Sequence, residues 1–417
     1  MSGVRELSPD TEAVLLLCGH FDGNEDDTKP LNTREYNQLV RWLNDQGFRP
    51  SALTDELDSL ECFEGTGLEK ERISRLLSRG AALAVNVERW HSHSLWVISR
   101  ADPDYPKYYL DRLKSNAPPI LYGAGDRSLF QEGGLAVVGS RNVDEAGIEF
   151  TRVVAEKAAR DNITIISGGA RGVDQTAMTA TLEVGGAAVG VLANNLNRAA
   201  VNAAYRDAIV DQRLVLLTPY NPAVGFTVGQ AMGRNKLIYC LADWSLVIDS
   251  SVESGGTWAG AIENLRKHWV PLFVRSGEDI PEGNQRLLSE GGIPLSDATL
   301  TGSSLIEGLV RIATNSFMKH EPDRAEVRPE DNGGAGSSIF DAAWPYIEMH
   351  LTSPRALKTL KQELGPLIAP KQVEIWLKHA EELDLVEKLK KPVRYRLKQN
   401  KPARDSGPAV TQRALEL

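Results

Sequence analysis

The chain has 417 residues, 42% of them hydrophobic, with three cysteines and a formal net charge of −9. That length implies two or three domains; no apolar run reaches the roughly 18 residues of a membrane span, and the start MSGVRELSPDTE carries no secretory signal. The acidic balance excludes a surface that coats nucleic acid everywhere, though not a local basic groove, and Cys18, Cys62 and Cys240 suit a reducing cytoplasm, without zinc or redox spacing.

Residues 1–115 read as an N-terminal mixed α/β and helical region. Its first seventy residues hold 15 Asp and Glu against 6 Lys and Arg, which makes it the wrong face for a polyanion. VLLLCGHF reads as a strand and Thr33 to Asn44 as a helix. GTGLEKERISRLLSRGAALAV reads as a helical pair around a glycine turn. SLWVISR and the residues after it suggest a linking strand, a short helix and a strand leading onward.

Residues 116–315 alternate apolar runs with amphipathic stretches. LAVVGS, ITIISG, AAVGVLA, LVLLTP, WSLVIDSS and WVPLFV are the strand candidates. EAGIEFTRVVAEKAARDN places Phe150, Val153, Val154 and Ala158 at helical spacing, and GVDQTAMTATLEVGG makes a second helix. Strands apolar on both faces, joined through helices, predict a doubly wound, mostly parallel, Rossmann-like α/β sheet.

HEPDRAEVRPEDNGGAGSS is charged and glycine-rich, so a linker is placed at 316–338. Residues 339–400 give three helical stretches followed by VEKLKKPVRYRL. This pattern predicts a winged helix whose recognition helix is PKQVEIWLKHAEEL, residues 370–383. Lys388, Lys390, Lys391, Arg394 and Arg396 crowd the hairpin as a candidate duplex contact; a partner dock or a solvated edge would use the same residues. From residue 401 the chain reads as a disordered tail.

In a parallel sheet the ligand crevice lies beyond the carboxyl ends of the strands, where helix N-termini point. Gly139, Ser140 and Arg141 follow the first strand, and Ser167, Gly168, Gly169 and Arg171 follow the second. Free amides at such turns attract phosphate, and arginine forks add charged donors. Arg234, Asn235 and Lys236 lead a later helix, and Ser254, Gly255, Gly256 and Thr257 open another. The set points to an anionic ligand. There is no GxGxxG or Walker lysine, which disfavours an NAD enzyme or a P-loop ATPase. His91 and His93 lack ligand partners, so no metal is expected. No GxSxG elbow is present, and no cofactor is implied.

Taken together, VVGSR, SGGARGVDQTA, GRNKLIYCLAD, ESGGTWAGA and GNQRLLSEGG occur in the order and spacing of the DprA/Smf DNA-processing proteins, and DPDYPKYYLDRLKSNAPPILYGAG resembles that family's lead into its Rossmann-like domain. The resemblance covers roughly residues 65–295. It implies a cytoplasmic, non-catalytic protein that binds single-stranded DNA, protects strands during transformation, loads a RecA-type recombinase and pairs as a homodimer. It also implies binding roles for Gly139, Ser140, Arg141, Ser167, Gly168, Gly169, Arg171, Asp174, Arg234, Asn235 and Lys236, with the turn 254–257 closing the crevice. Two positions depart from the family pattern: Met178 stands where the family has His, and Gly233 where it has Arg. Two rival functions remain. A nucleotide N-glycoside hydrolase would need a Glu where Gly260 stands, and Glu263, a helical turn further on, misses near-attack distance. A nucleotide sensor in a defence system would signal through the winged helix.

Overall fold

The computed structural model describes residues 7–21, 28–55, 66–301 and 304–319; in the C-terminal part it describes 344, 347–348, 350–351, 354–364, 370–382, 385–390 and 393–397. The stretch 320–338 and the tail from 401 lie outside these residues. The chain divides into two compact units, residues 1–342 and 343–417.

The N-terminal run VLLLC is helical, not a strand, and belongs to α1 (Pro9–Cys18). Ser8 caps this helix by accepting from the Thr11 amide, Pro9 stands in its first turn, and Asp10 and Glu12 meet the positive end of its dipole. Ala13 through Leu17 are all buried. A helix buried all round shows no amphipathic period, so an apolar run of this length imitates a buried strand. The expected second helix is α2 (Thr33–Asp45), opened by a reciprocal Asn32–Glu35 capping box. The expected helical pair is α3 (Lys70–Leu77) and α4 (Gly80–Ser92).

One sheet organises the first unit. Its strands are β1 (Trp96–Ser99), β2 (Ile120–Gly125), β3 (Leu135–Val138), β4 (Ile165–Ser167), β5 (Ala188–Val191), β6 (Leu214–Thr218), β7 (Trp244–Val247), β8 (Leu272–Arg275) and β9 (Ile293–Leu295). They lie in the order β1-β2-β6-β5-β4-β3-β7-β8-β9. β2 runs antiparallel to both β1 and β6, and the other pairs are parallel. The six strand candidates are thus β3 to β8. β1 extends the sheet into the N-terminal region, because Trp96 to Ser99 pair with Gly123 to Ile120.

Both faces of the sheet are covered. Leu214 and Leu216 of β6 join a core with α1 to α4, whereas Val215 and Leu217 join the opposite core with Tyr109, Phe130 and Leu237. This alternation is the two-residue period of a strand buried on both sides. The helices that matter for the site are α5 (Glu145–Arg160), α6 (Val173–Glu183), α7 (Val228–Leu241) and α8 (Gly255–Lys267). The chain leaves β3 through α5 to β4 on one side, then returns through α7 to β7 on the other. The strand order therefore reverses between β3 and β7, and their carboxyl ends form the switch point. A last helix of this unit, α9 (Leu305–Lys319), runs four residues into the stretch expected to be linker.

In the second unit β10 (Arg355–Ala356), β11 (Val386–Lys390) and β12 (Val393–Leu397) form an antiparallel sheet in the order β10-β12-β11. Helices α10 (Leu357–Leu364) and α11 (Pro370–Glu382) lie between β10 and β11 in the chain.

Gly123 is a point of close packing between β1 and the sheet. A Cβ there would overlap the Trp96 ring and the Leu216 carbonyl. Gly123→Ala should therefore cost about 1–3 kcal/mol through overpacking, read as a lower urea midpoint at unchanged slope. An unchanged midpoint would show that this register is not needed.

Candidate phosphate-binding cleft

The switch point opens into a cleft of about 510 Å³. Of the residues expected in the site, Gly139, Ser140, Arg141, Asp174, Arg234, Asn235, Ser254, Gly255, Gly256 and Thr257 line it. They converge from four elements: the turn after β3, the first turns of α6 and α8, and the middle of α7.

The turn after β3 is held on both sides. The Ser140 amide donates to the Asp249 carbonyl beyond β7 at 3.0 Å, and the Val173 amide donates to the Ser140 carbonyl at 3.3 Å. Gly172 permits the second contact with a φ of +87°, at a position where a side chain would collide with Ser140 and Arg141. Arg141 reaches over the cleft mouth, its guanidinium 4.9 Å from the centre of the Phe226 ring. Arg171 is exposed beside it and donates to the Asn142 side chain at 3.2 Å.

Arg234 forms the floor. It is 4% exposed, and its Nε and Nη1 have no hydrogen-bond partner among the described residues. A side chain at Gly168 would occupy the space of that guanidinium, so the glycine after β4 serves to admit Arg234. Asp174 supplies the compensating charge. Burial pushes its pKa up to about 6, against the opposing pull of Arg234 and of the nearby Ala170, Gly139 and Gly168 amides. Burial likewise disfavours the charged form of Arg234, against the pull of Asp174. Asp249 at the rim is also pushed up, by burial and by Asp144, against Arg275 and the Ser140 hydroxyl. Buried charged donors left unpaired cost about 1–3 kcal/mol or more each, so this geometry favours an incoming anion.

The far wall is the N-terminus of α8. No acidic side chain stands in its first turn, and the Ser254 hydroxyl does not cap it, which leaves its amides and dipole directed at the cleft. Asn235 fixes this wall by donating to the Gly256 carbonyl at 2.8 Å. It is a positioning residue.

Besides Gly168 and Arg171, three expected residues lie outside the cleft lining. Ser167 is fully buried, and its hydroxyl donates to the Val137 carbonyl at 2.6 Å, tying β4 to β3. Gly169 takes a left-handed φ of +65° in the turn behind the cleft. Lys236 follows Arg234 by two residues, about 200° around the helix, so it leaves the cleft and acts electrostatically on Cys240. Met178, at the family's His position, is fully buried in the core below the sheet.

Other lining residues were not anticipated: Phe226, Val228, Met232, Tyr239 and Asp249. Phe226, Val228 and Met232 are 47%, 67% and 49% exposed. Their signal was available in VGFTVGQAMG, where large apolar residues sit among glycines that cannot build a core.

In the second unit Arg396 is paired with Glu387 at 2.8 Å, and the Lys388 ammonium stands 5.7 Å from the centre of the Tyr395 ring. Arg394 is exposed and Lys390 ends β11, whereas Lys391 lies outside the described residues.

Residues 96–299 match the family DNA recombination-mediator protein A. Protein Smf of Escherichia coli is 28% identical over 270 residues, which is 63% of this chain and 71% of that protein. The DNA processing protein DprA of Streptococcus pneumoniae is 28% identical over 181 residues, 42% of this chain and 63% of the relative. The X-ray structure of DNA processing protein A from Streptococcus pneumoniae aligns with a TM-score of 0.54 at 19% identity, covering 70% of this chain and 95% of that one, a likeness of fold. Over residues 96–299 the chain is similar to the DprA/Smf family. No helix among the described residues is long and apolar enough to cross a membrane.

The cleft should respond to pH. Asp174 is ionised at neutral pH and opposes an anion beside Arg234; protonation below about 6 removes that charge. Anion affinity should therefore rise as pH falls from 7.5 to 5.5, with Asp249 acting in the same direction. Because the folded pKa lies above the unfolded one, Asp174 should also make the fold less stable as pH rises from about 4 to about 6. Phosphate titrations followed by calorimetry at both pH values check the first effect, and Asp174→Asn should flatten it. An equally steep profile in that variant would remove Asp174 as the cause.

Proposed function

We propose that this DprA/Smf-like protein binds single-stranded DNA along the carboxyl edge of its sheet, holding the backbone without reading sequence and without cleaving it. The observation that carries this reading is the buried Arg234 guanidinium, two of whose nitrogens have no hydrogen-bond partner among the described residues, at a cleft whose opposite wall is a helix N-terminus. Phosphate oxygens satisfy both groups at once. The cationic groups do not stop at the floor: Arg141 and Arg171 continue along the lip, which suits a chain of phosphates better than a single one. Exposed Phe226 and Met232 beside them offer apolar contact to unstacked bases, which a duplex does not present.

The non-catalytic part of the proposal rests on the position of the carboxylates. Gly260 packs against the Tyr239 ring, and Glu263 is exposed on α8 rather than part of the cleft lining. Asp174 is buried beside Arg234. Strand protection, handover to a RecA-type recombinase and pairing as a homodimer belong to the same reading, carried over from the family resemblance. We read the second unit as a winged helix that serves this function, with Arg394 and Lys388 as its exposed cations.

Arg141 is exposed, so it can be removed without disturbing the core. Arg141→Ala should weaken binding of a twenty-nucleotide strand by about 1–3 kcal/mol and shallow the salt dependence by about one phosphate contact. Titrations at two salt concentrations against single strand, duplex and a mononucleotide check this. Equal affinity for wild type and variant, with unchanged circular dichroism, would take Arg141 out of the site. Mononucleotide binding as tight as strand binding would replace the strand with a small nucleotide.

A further inference from the structure

A second cavity, of about 450 Å³, opens beside the first and has a different character. One wall is the sheet, at Ile120 and Tyr122 of β2 and at Tyr220 after β6. The other wall belongs to the N-terminal layer, at His20 and Phe21 after α1 and Thr33 at the start of α2. The first turn of α7 separates the two cavities. Gln230 faces the second, whereas Ala231, Met232 and Arg234 face the first. Across this partition the Tyr220 hydroxyl donates to the Gln230 carbonyl at 3.0 Å.

The lining chemistry restricts the occupant. Among the described residues no Lys, Arg, Asp or Glu lines the second cavity, so a phosphate would find no counter-charge there. The largely buried Phe21 and Tyr122 and the half-buried Tyr220 bring aromatic rings to the lining, and Phe21 is backed by the Arg79 guanidinium 4.8 Å from its ring centre. Partial burial and the nearby Arg79 lower the pKa of His20, favouring its neutral form. Its carbonyl accepts from the Asn221 side chain at 2.7 Å, which holds the N-terminal layer against the loop after β6. A neutral imidazole can both donate and accept. Flat aromatic walls with a few neutral polar groups suit a heterocyclic base, and the volume falls within the ordinary range of small-ligand pockets.

We propose that this cavity receives a nucleobase from the strand whose phosphates the Arg234 cleft holds. The proposal rests on the strand-binding reading. It assigns the N-terminal layer a role in gripping DNA despite its acidic composition: a base is neutral, so the acidic surface does not repel it. The loop from Pro219 to Val228 contributes residues to both cavities and is the edge over which the strand turns.

The test compares a twenty-nucleotide thymidine strand with an abasic strand of the same length, which keeps the phosphates and removes the bases. Val224 is half-buried on the cavity wall and outside the phosphate cleft, so Val224→Trp fills the cavity. It should weaken thymidine-strand binding by about tenfold, the worth of one stacked base, and leave the abasic strand unchanged. Equal loss for both strands, or no loss for either, overturns the proposal. In wild-type protein a strand carrying 5-iodouracil should cross-link on irradiation to Phe21, Tyr122 or Tyr220; cross-links confined to Phe226 would contradict it without any variant. Free thymidine that protects these residues as well as the strand does would make the cavity a nucleoside site and overturn the strand assignment. Arg141→Ala run in parallel separates the two ideas: if it weakens neither strand, the phosphate-cleft reading itself has failed.

Discussion

The burial of the Arg234 guanidinium beneath the switch point is the constraint on which the rest of the site depends. A cation at 4% exposure is tolerated only where neighbours compensate it, and here the compensation is partial by construction. Asp174 supplies charge but is itself disfavoured by burial, and two guanidinium nitrogens have no partner among the described residues. Gly168 exists to make room for it. The free protein therefore holds an electrostatic deficit, which in the proposed reading a phosphate of the bound strand relieves. Such a deficit survives only because the double-wound sheet around it is buried on both faces and tied across its strands.

The architecture turns this local deficit into a strand-length feature. Reversal of strand order between β3 and β7 brings the turns after both strands, and the N-terminus of α8, to one edge. From that edge the surface divides in two. The charged part offers Arg234, Arg141 and helix amides, and the uncharged part offers aromatic rings from the sheet and the N-terminal layer. A polynucleotide has the same division, phosphates along one side and bases along the other. The loop after β6 is where the two halves of the protein surface meet.

Much of the α/β domain was legible from residues alone, for a physical reason. β3 to β8 are short apolar runs, most of them closed by Gly, Ser or Pro, and strands buried on both faces have no other pattern to show. The cleft turns were legible because glycine and arginine at strand ends have few structural uses. Helix α1 was misread because Ala13 to Leu17 are buried all round, though Ser8 and Pro9 carried the helix-start signal. Lys236 was grouped with Arg234 by adjacency, whereas the helical period puts two residues on different faces. Ser167 shared a motif with cleft residues but spends its hydroxyl on β3. The second cavity could not be read at all, because its walls come from residues 18–21, 31–33, 119–122 and 219–230, which only the folded chain brings together.

The central claim is that the Arg234 fork is satisfied by the phosphates of a bound strand. The most direct measurement is the Nε–H resonance of Arg234 in nitrogen-15-labelled protein, followed while a twenty-nucleotide single strand is added. The account expects that resonance to shift and its hydrogen exchange to slow as the strand saturates the protein. A resonance that stays in place while the strand binds would contradict it.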